Sequence, residues 1–255
     1  MADNASFTFP TETVTLPSQG KLYELTNPLS SGAVEMKYMT AREEDILTNP
    51  NLLKQGIAIE KVLQALIKSP INYDDLLEGD RNGLLIAARI LAYGASYNIS
   101  YTDPETEVAE KVAVDLTKLK DKKVDYDLYS NKNEFTFELP HSKNVVTFKL
   151  LTVGDKKQIE NELKGLKKAN LQGGELTTRL KKQILSVNGN YEAKAVRDFV
   201  DNYLIAKDSI ELRLRMVELA PDIDMTVDIT LASGKEVFGL DLPLTGEFFF
   251  PGSGI

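Results

Sequence analysis

Histidine and cysteine, the side chains most used in nucleophilic and metal chemistry, are nearly missing from this 255-residue chain. His141 is the only histidine and cysteine is absent. A zinc site of the usual His/Cys kind therefore cannot be built, and a Ser-His-Asp triad would have to use His141. That residue opens the turn His141-Ser142-Lys143-Asn144, where it reads as an exposed turn residue. No serine sits in G-x-S-x-G. Gly79-Asp80-Arg81-Asn82-Gly83 is flanked by glycines but lacks the Gly-Lys-Ser/Thr ending that cradles phosphate. Two carboxylate groups remain, Glu43-Glu44-Asp45 and Asp74-Asp75. They could hold Mg²⁺ or divide the acid and base roles of a hydrolase or nuclease. The first group also stands where the opening turn of a helix favours negative charge, and that structural explanation suffices for it. No catalytic, metal-ligating or cofactor-binding constellation outweighs its structural explanation, and no cofactor is expected.

The elements that would carry these residues are legible. Pro17-Ser18-Gln19-Gly20 is a turn signal, and Val34, Met36 and Tyr38 alternate as in a half-buried strand. Thr40-Ala41-Arg42-Glu43 fits a capping box. Helices are expected at 41–48, 52–68 and 80–93, with Asp80 as N-cap and Gly94 as terminator. Tyr97–Tyr101 and Val108–Leu116 form a hairpin, and the charged stretch 117–132 reads as a linker. A second hairpin, Phe135–Leu139 with Val145–Leu151, precedes helices at 154–169, 175–187 and 193–205. On the last, Val196, Phe199, Val200, Tyr203 and Leu204 share one face. Residues 210–219 also alternate, but the Glu211–Arg215 pair and the stop at Pro221 favour a helix. A last hairpin, Met225–Leu231 with Glu236–Leu240, leads to Phe248-Phe249-Phe250-Pro251.

The order strand pair, helices, long helix, hairpin and Asp-Leu occurs twice. Asp80–Ala92 (DRNGLLIAARILA) aligns with Asp208–Ala220 (DSIELRLRMVELA). The expected fold is α+β, two related halves in which helices pack on short antiparallel strands and a β-hairpin projects. The division is an N-terminal arm (1–12), a first half (13–116), a linker (117–132), a second half (133–245) and a Phe-rich tail (246–255). Three consecutive aromatics cannot all face one core from one strand. With the hairpin faces open to pairing, Leu240, Phe248, Phe249 and Phe250 are the expected contacts to a partner, at least one phenylalanine being exposed.

Composition narrows the classes. The net charge of −8 argues against general nucleic-acid binding, which needs cations against phosphate. No apolar run approaches the roughly 18 residues of a membrane span, and the first twenty residues lack the features of a secretory signal. From Lys143 to Lys182 stand ten cations, nine Lys and Arg179, against Asp155, Glu160, Glu162 and Glu175. This segment is either a solvated helical face or a docking surface for an acidic partner, including another copy of the chain.

Several stretches taken together resemble the baseplate hub protein family of T-even-type contractile-tailed bacteriophages. They are Leu16–Tyr23 (LPSQGKLY), Val34–Leu47 (VEMKYMTAREEDIL), Val196–Leu204 (VRDFVDNYL), Pro221–Asp224 (PDID) and the Leu-Pro to Phe-Phe-Phe-Pro ending. The resemblance implies a structural or tail-assembly protein of the virion without enzymatic activity. Its partners would be other hub or tail proteins, and its location the baseplate, with the host cytoplasm during assembly. Relatives often carry cysteine pairs in the hairpins that here are Tyr97–Leu116 and Met225–Leu240, so these hairpins are expected to be metal-free and held by packing. Beside this reading stand an assembly chaperone that leaves the mature virion, a host-type adaptor using the basic segment, and a Mg-dependent hydrolase.

Overall fold

A computed structural model describes residues 10–169, 174–242 and 246–249. Strand β1 (Thr11–Thr15) pairs antiparallel with β2 (Ala33–Lys37), Val14 opposite Val34. The chain then enters α1 (Ala41–Thr48), α2 (Pro50–Gln55) and α3 (Ala58–Leu66). The helix expected over 52–68 is thus broken, because Gly56 takes a left-handed φ of 72° and caps α2. Helix α4 (Glu78–Tyr93) leads into the hairpin β3 (Ser96–Thr102) and β4 (Ala109–Asp115).

The second half begins with β6 (Phe135–Glu138) and β7 (Val145–Phe148), joined by β8 (Ile184–Val187) into a three-stranded sheet. Helices α5 (Val153–Lys168) and α6 (Glu175–Gln183) intervene. The expected helix 175–187 ends at Gln183, because Ile184, Ser186 and Val187 are buried as the sheet's edge strand. Helix α7 (Ala193–Asp198) continues as a π-turn, Phe199–Tyr203. The wider turn rotates Tyr203 off the apolar face expected for it, and it is 63% exposed while Val196, Phe199 and Val200 are buried. Then follow α8 (Ala206–Leu219) and the hairpin β10 (Thr226–Thr230) and β11 (Glu236–Asp241). A short helix, α9 (Gly246–Phe249), is the last described element.

The two halves repeat particular devices as well as element order. Thr40–Glu43 and Thr152–Asp155 both form capping boxes, and in each the acid also binds a lysine six residues earlier. Lys37 lies 2.8 Å from Glu43 and Lys149 lies 2.7 Å from Asp155. The bridge Met36↔Ile67 matches the pair Phe148↔Ile184. Asp80 and Asp208, both fully buried in the first turns of α4 and α8, each clasp the turn of the preceding strand pair. Asp80 accepts from Ser18 N (2.8 Å), Ser18 Oγ (2.7 Å) and Tyr23 Oη (2.5 Å). Asp208 accepts from the amides of His141 and Ser142, both at 2.9 Å. The residue at the N-cap of α4 is Leu77, so Asp80 does its work inside the helix rather than as the expected cap.

The halves share one hydrophobic cluster. Leu77 bridges Thr152, and Val153 N donates to Leu76 O at 2.8 Å. A Cβ on Gly79 would lie 1.8 Å from the carbonyl oxygen of Pro221, so α4 meets the second half only because that residue is glycine. Residues 117–132, expected as a linker, are tied to both sides. Within them β5 (Lys120–Asp121) pairs with β9 (Ile223–Asp224). Tyr126 Oη donates to Pro17 O at 2.9 Å, and Tyr129 Oη to Leu219 O at 2.6 Å.

Candidate functional site

Three of the five carboxylates offered for acid–base work, Glu43, Asp74 and Asp75, serve as structural acceptors. Glu43 is buried, and its Oε2 accepts from Thr40 N (3.0 Å) and Thr40 Oγ1 (2.6 Å). Burial by itself pushes its pKa up, but the hydrogen bonds from Lys37 and Thr40 outweigh it and hold the carboxyl below the usual range. Glu44 and Asp45 point to solvent on α1. Asp74 Oδ1 meets Lys157 at 2.6 Å, while Asp75 accepts from Asn27 (3.2 Å) and Asn72 (2.9 Å). Among the described residues there is no group of three or more His, Asp or Glu that could hold a metal ion. His141 is exposed in its turn, as its sequence position suggests.

The basic segment faces the acidic remainder of its own chain. Lys157 lies 2.6 Å from both Glu60 and Asp74, Lys156 pairs with Glu78, and Lys181 lies 2.6 Å from Asp201. The first three contacts cross from α5 to the other half. A good part of the charge that reads as a docking surface is therefore internal complementarity.

The aromatic ending is described only through Phe249, so the expectation of one exposed phenylalanine rests on Phe250. Phe248 and Phe249 are 0% and 4% exposed, and Phe250 lies outside the described residues. The exposure argument assumed a strand, in which neighbours point apart by 180°. The chain forms a helical turn instead, where successive side chains differ by about 100°, so adjacent phenylalanines can enter one core. Phe248 meets Tyr97 edge-on at 5.1 Å and Phe249 at 4.9 Å. The Arg89 guanidinium lies 5.2 Å from the Tyr93 ring and 5.9 Å from both Tyr97 and Phe248. Its Nη atoms donate to Gly94 O (2.9 Å) and Ser96 O (3.2 Å), and its burial lowers its pKa. The tail thus closes over the base of the first hairpin.

The hairpins are the more open surfaces, and they lie side by side. Lys235, at the tip of β10–β11, reaches Asp103 at 3.0 Å and Glu105 at 2.8 Å on the tip of β3–β4. Ala232 N donates to Glu110 Oε2 at 2.9 Å. Between β4 and β10 runs a groove of about 580 Å³. A bulge in β11 sets Phe238 and Gly239 against Asp228, with Gly239 at φ 64° and its amide bound to Asp228 Oδ1 at 2.9 Å. The bulge turns Phe238 outward, 69% exposed, while Leu240 is half-buried. Sequence reading passed over Phe238; its signal was the Phe-Gly pair opposite an Asp in a short hairpin.

These surfaces gain meaning from comparison with known proteins. No curated protein and no solved structure matches the chain. A family model described as T4 bacteriophage base plate protein matches residues 10–249, which include every described strand and helix. The chain belongs to the T4 bacteriophage base plate protein family.

Proposed function

We propose that this baseplate protein acts in the hub of the tail baseplate, as a structural or assembly component that works through protein contacts and without catalysis. The observation that carries the reading is the family match over residues 10–249. Support comes from the carboxylates, since Glu43 is committed to a capping box and Asp74 to an ion pair that joins the halves. The contact surface is the paired hairpins, with Phe238 and the strand around Leu240 as anchor; Phe248 and Phe249 hold the chain's own core.

The test is complementation of a phage that lacks the chain. A variant carrying Glu44→Gln, Asp45→Asn, Asp74→Asn and Asp75→Asn is expected to restore hub assembly, because no step depends on acid–base chemistry. Failure of that variant, with an unchanged circular dichroism spectrum, returns the Mg-dependent hydrolase to the front. Quantitative mass spectrometry of mature virions then separates a permanent hub subunit from an assembly factor that leaves.

A further inference from the structure

Helices α4 and α8 hold corresponding places, and their inner faces match. Leu84 and Leu212 are both 0% exposed, and Ala88 and Met216 are both buried. Their second faces differ. On α4, Leu85, Ile86 and Arg89 are buried within the chain, Arg89 beneath Phe248 and Tyr97. The aligned residues of α8 are Arg213, Leu214 and Val217, and Leu214 and Val217 are 58% and 63% exposed. Ile210, one turn earlier, is 47% exposed. The difference extends to the neighbouring helix. α3 packs against α4 and buries Val62 and Leu66, whereas the matching positions of α6 are Arg179 and Gln183. An open groove of about 530 Å³ lies there, lined by Leu176, Arg179, Gln183, Arg213, Met216 and Val217, with Glu175 at its edge. A seam that is sealed in one half is open in the other, and two of its sealing aliphatics are replaced by arginine.

We propose that this groove receives an acidic amphipathic helix of another baseplate protein, an inference that rests on the reading of the chain as a baseplate component. A helix fits because Ile210, Leu214 and Val217 recur at i, i+4 and i+7 and form a ridge for a third helix to pack on. Exposed aliphatics at that spacing beside a groove mark an interaction site. Acidic side chains fit because Arg179 and Arg213 stand where the closed seam has Val62 and Leu85. Arg179 meets Glu175 only at 3.8 Å, and Arg213 Nε donates to a carbonyl of its own helix, Ser209 O, at 3.1 Å. Both guanidiniums keep donors for a carboxylate. A second copy docking groove to groove would set these arginines against themselves about the two-fold axis, so the occupant is a different protein.

The test places the photoreactive residue p-benzoylphenylalanine at position 214, in place of leucine, in phage-infected cells. Baseplate assembly intermediates are purified and irradiated, and the cross-linked peptide is identified by mass spectrometry. The expected product is one peptide of another baseplate protein, with apolar residues at helical spacing and at least two Asp or Glu between them. Arg179→Glu with Arg213→Glu is expected to lower the yield by roughly tenfold or more, at an unchanged circular dichroism spectrum. The milder pair Arg179→Gln and Arg213→Gln lowers it in the same direction should the reversal disturb folding. A peptide from a second copy, no cross-link although the chain is present in the intermediates, or a yield indifferent to both pairs overturns the groove proposal. Absence of the chain from the intermediates overturns the baseplate role itself, and the groove with it.

Discussion

Asp80 is fully buried, and its three hydrogen-bond partners, one amide and two hydroxyls, are all uncharged. Burial therefore dominates and raises its pKa, the hydrogen bonds from Tyr23 and Ser18 opposing without cancelling it. The Tyr23 hydroxyl is pushed up in turn, by burial first and by Asp80 second. An acid raised in this way holds its proton more tightly in the folded state. Its contribution to stability is complete below the ordinary aspartate range, near about pH 3.9, and is lost as pH rises through the folded value. Asparagine does not titrate. Urea denaturation of wild type and Asp80→Asn between pH 4.5 and 8 is thus expected to show the wild-type advantage shrinking as pH rises. An advantage that grows with pH would mean that Asp80 is a stabilised charge. Glu43 behaves differently because Lys37 lies 2.8 Å away and, with Thr40, holds its carboxyl below the usual range.

The tail helix α9 and the hairpin tips make opposite contributions. Phe248 is 0% exposed and covers Arg89, so Phe248→Ala removes a large core side chain and uncovers a buried cation. The expected cost is about 3–5 kcal/mol in chemical denaturation; an unchanged midpoint would return the residue to an interface role. Lys235→Glu breaks two ion pairs at the surface, where such pairs contribute little. The melting temperature is expected to stay within about 2 °C, while amide exchange at Ala232 accelerates as the two tips separate; unaltered exchange would mean that the tips are held by something else. These elements also show what was legible beforehand. Both capping boxes lie within seven residues of sequence, as Lys-x-x-Thr-x-x-Glu and Lys-x-x-Thr-x-x-Asp, and the hairpins announce themselves by alternation. Strand β8 was missed because Ile184–Val187 continues a helical pattern and is claimed by the sheet only through β7. The helical turn of the tail was missed for a similar reason, since its inward direction depends on Tyr97 and Arg89, some 150 positions away. The α6–α8 groove was invisible because exposure on Leu214 and Val217 follows from what the neighbouring helix lacks.

Across the molecule, one apolar cluster draws on both halves, and Gly79, Asn82 and Leu77 fasten α4 to the second half. Asn82 Nδ2 lies 3.0 Å from Asp222 Oδ1. Thermal unfolding followed by tyrosine absorbance and by far-ultraviolet circular dichroism is therefore expected to give one coincident transition. Two separated transitions would mean that the halves are independent units. The same arrangement sets Lys156 and Lys157 of the basic segment against Glu78, Glu60 and Asp74 of the first half. The surfaces proposed for other proteins are the paired hairpins around Phe238 and the open face of α8. The most direct test of the role built on these surfaces is affinity purification of the tagged chain from infected cells, followed by quantitative mass spectrometry of the associated proteins. The expected result is co-purification of other baseplate hub proteins at fixed ratios, abolished by Phe238→Glu or by Leu214→Glu with Val217→Glu at unchanged melting temperature. Recovery of the wild-type chain alone, or with hub proteins at ratios that neither surface variant alters, would contradict it.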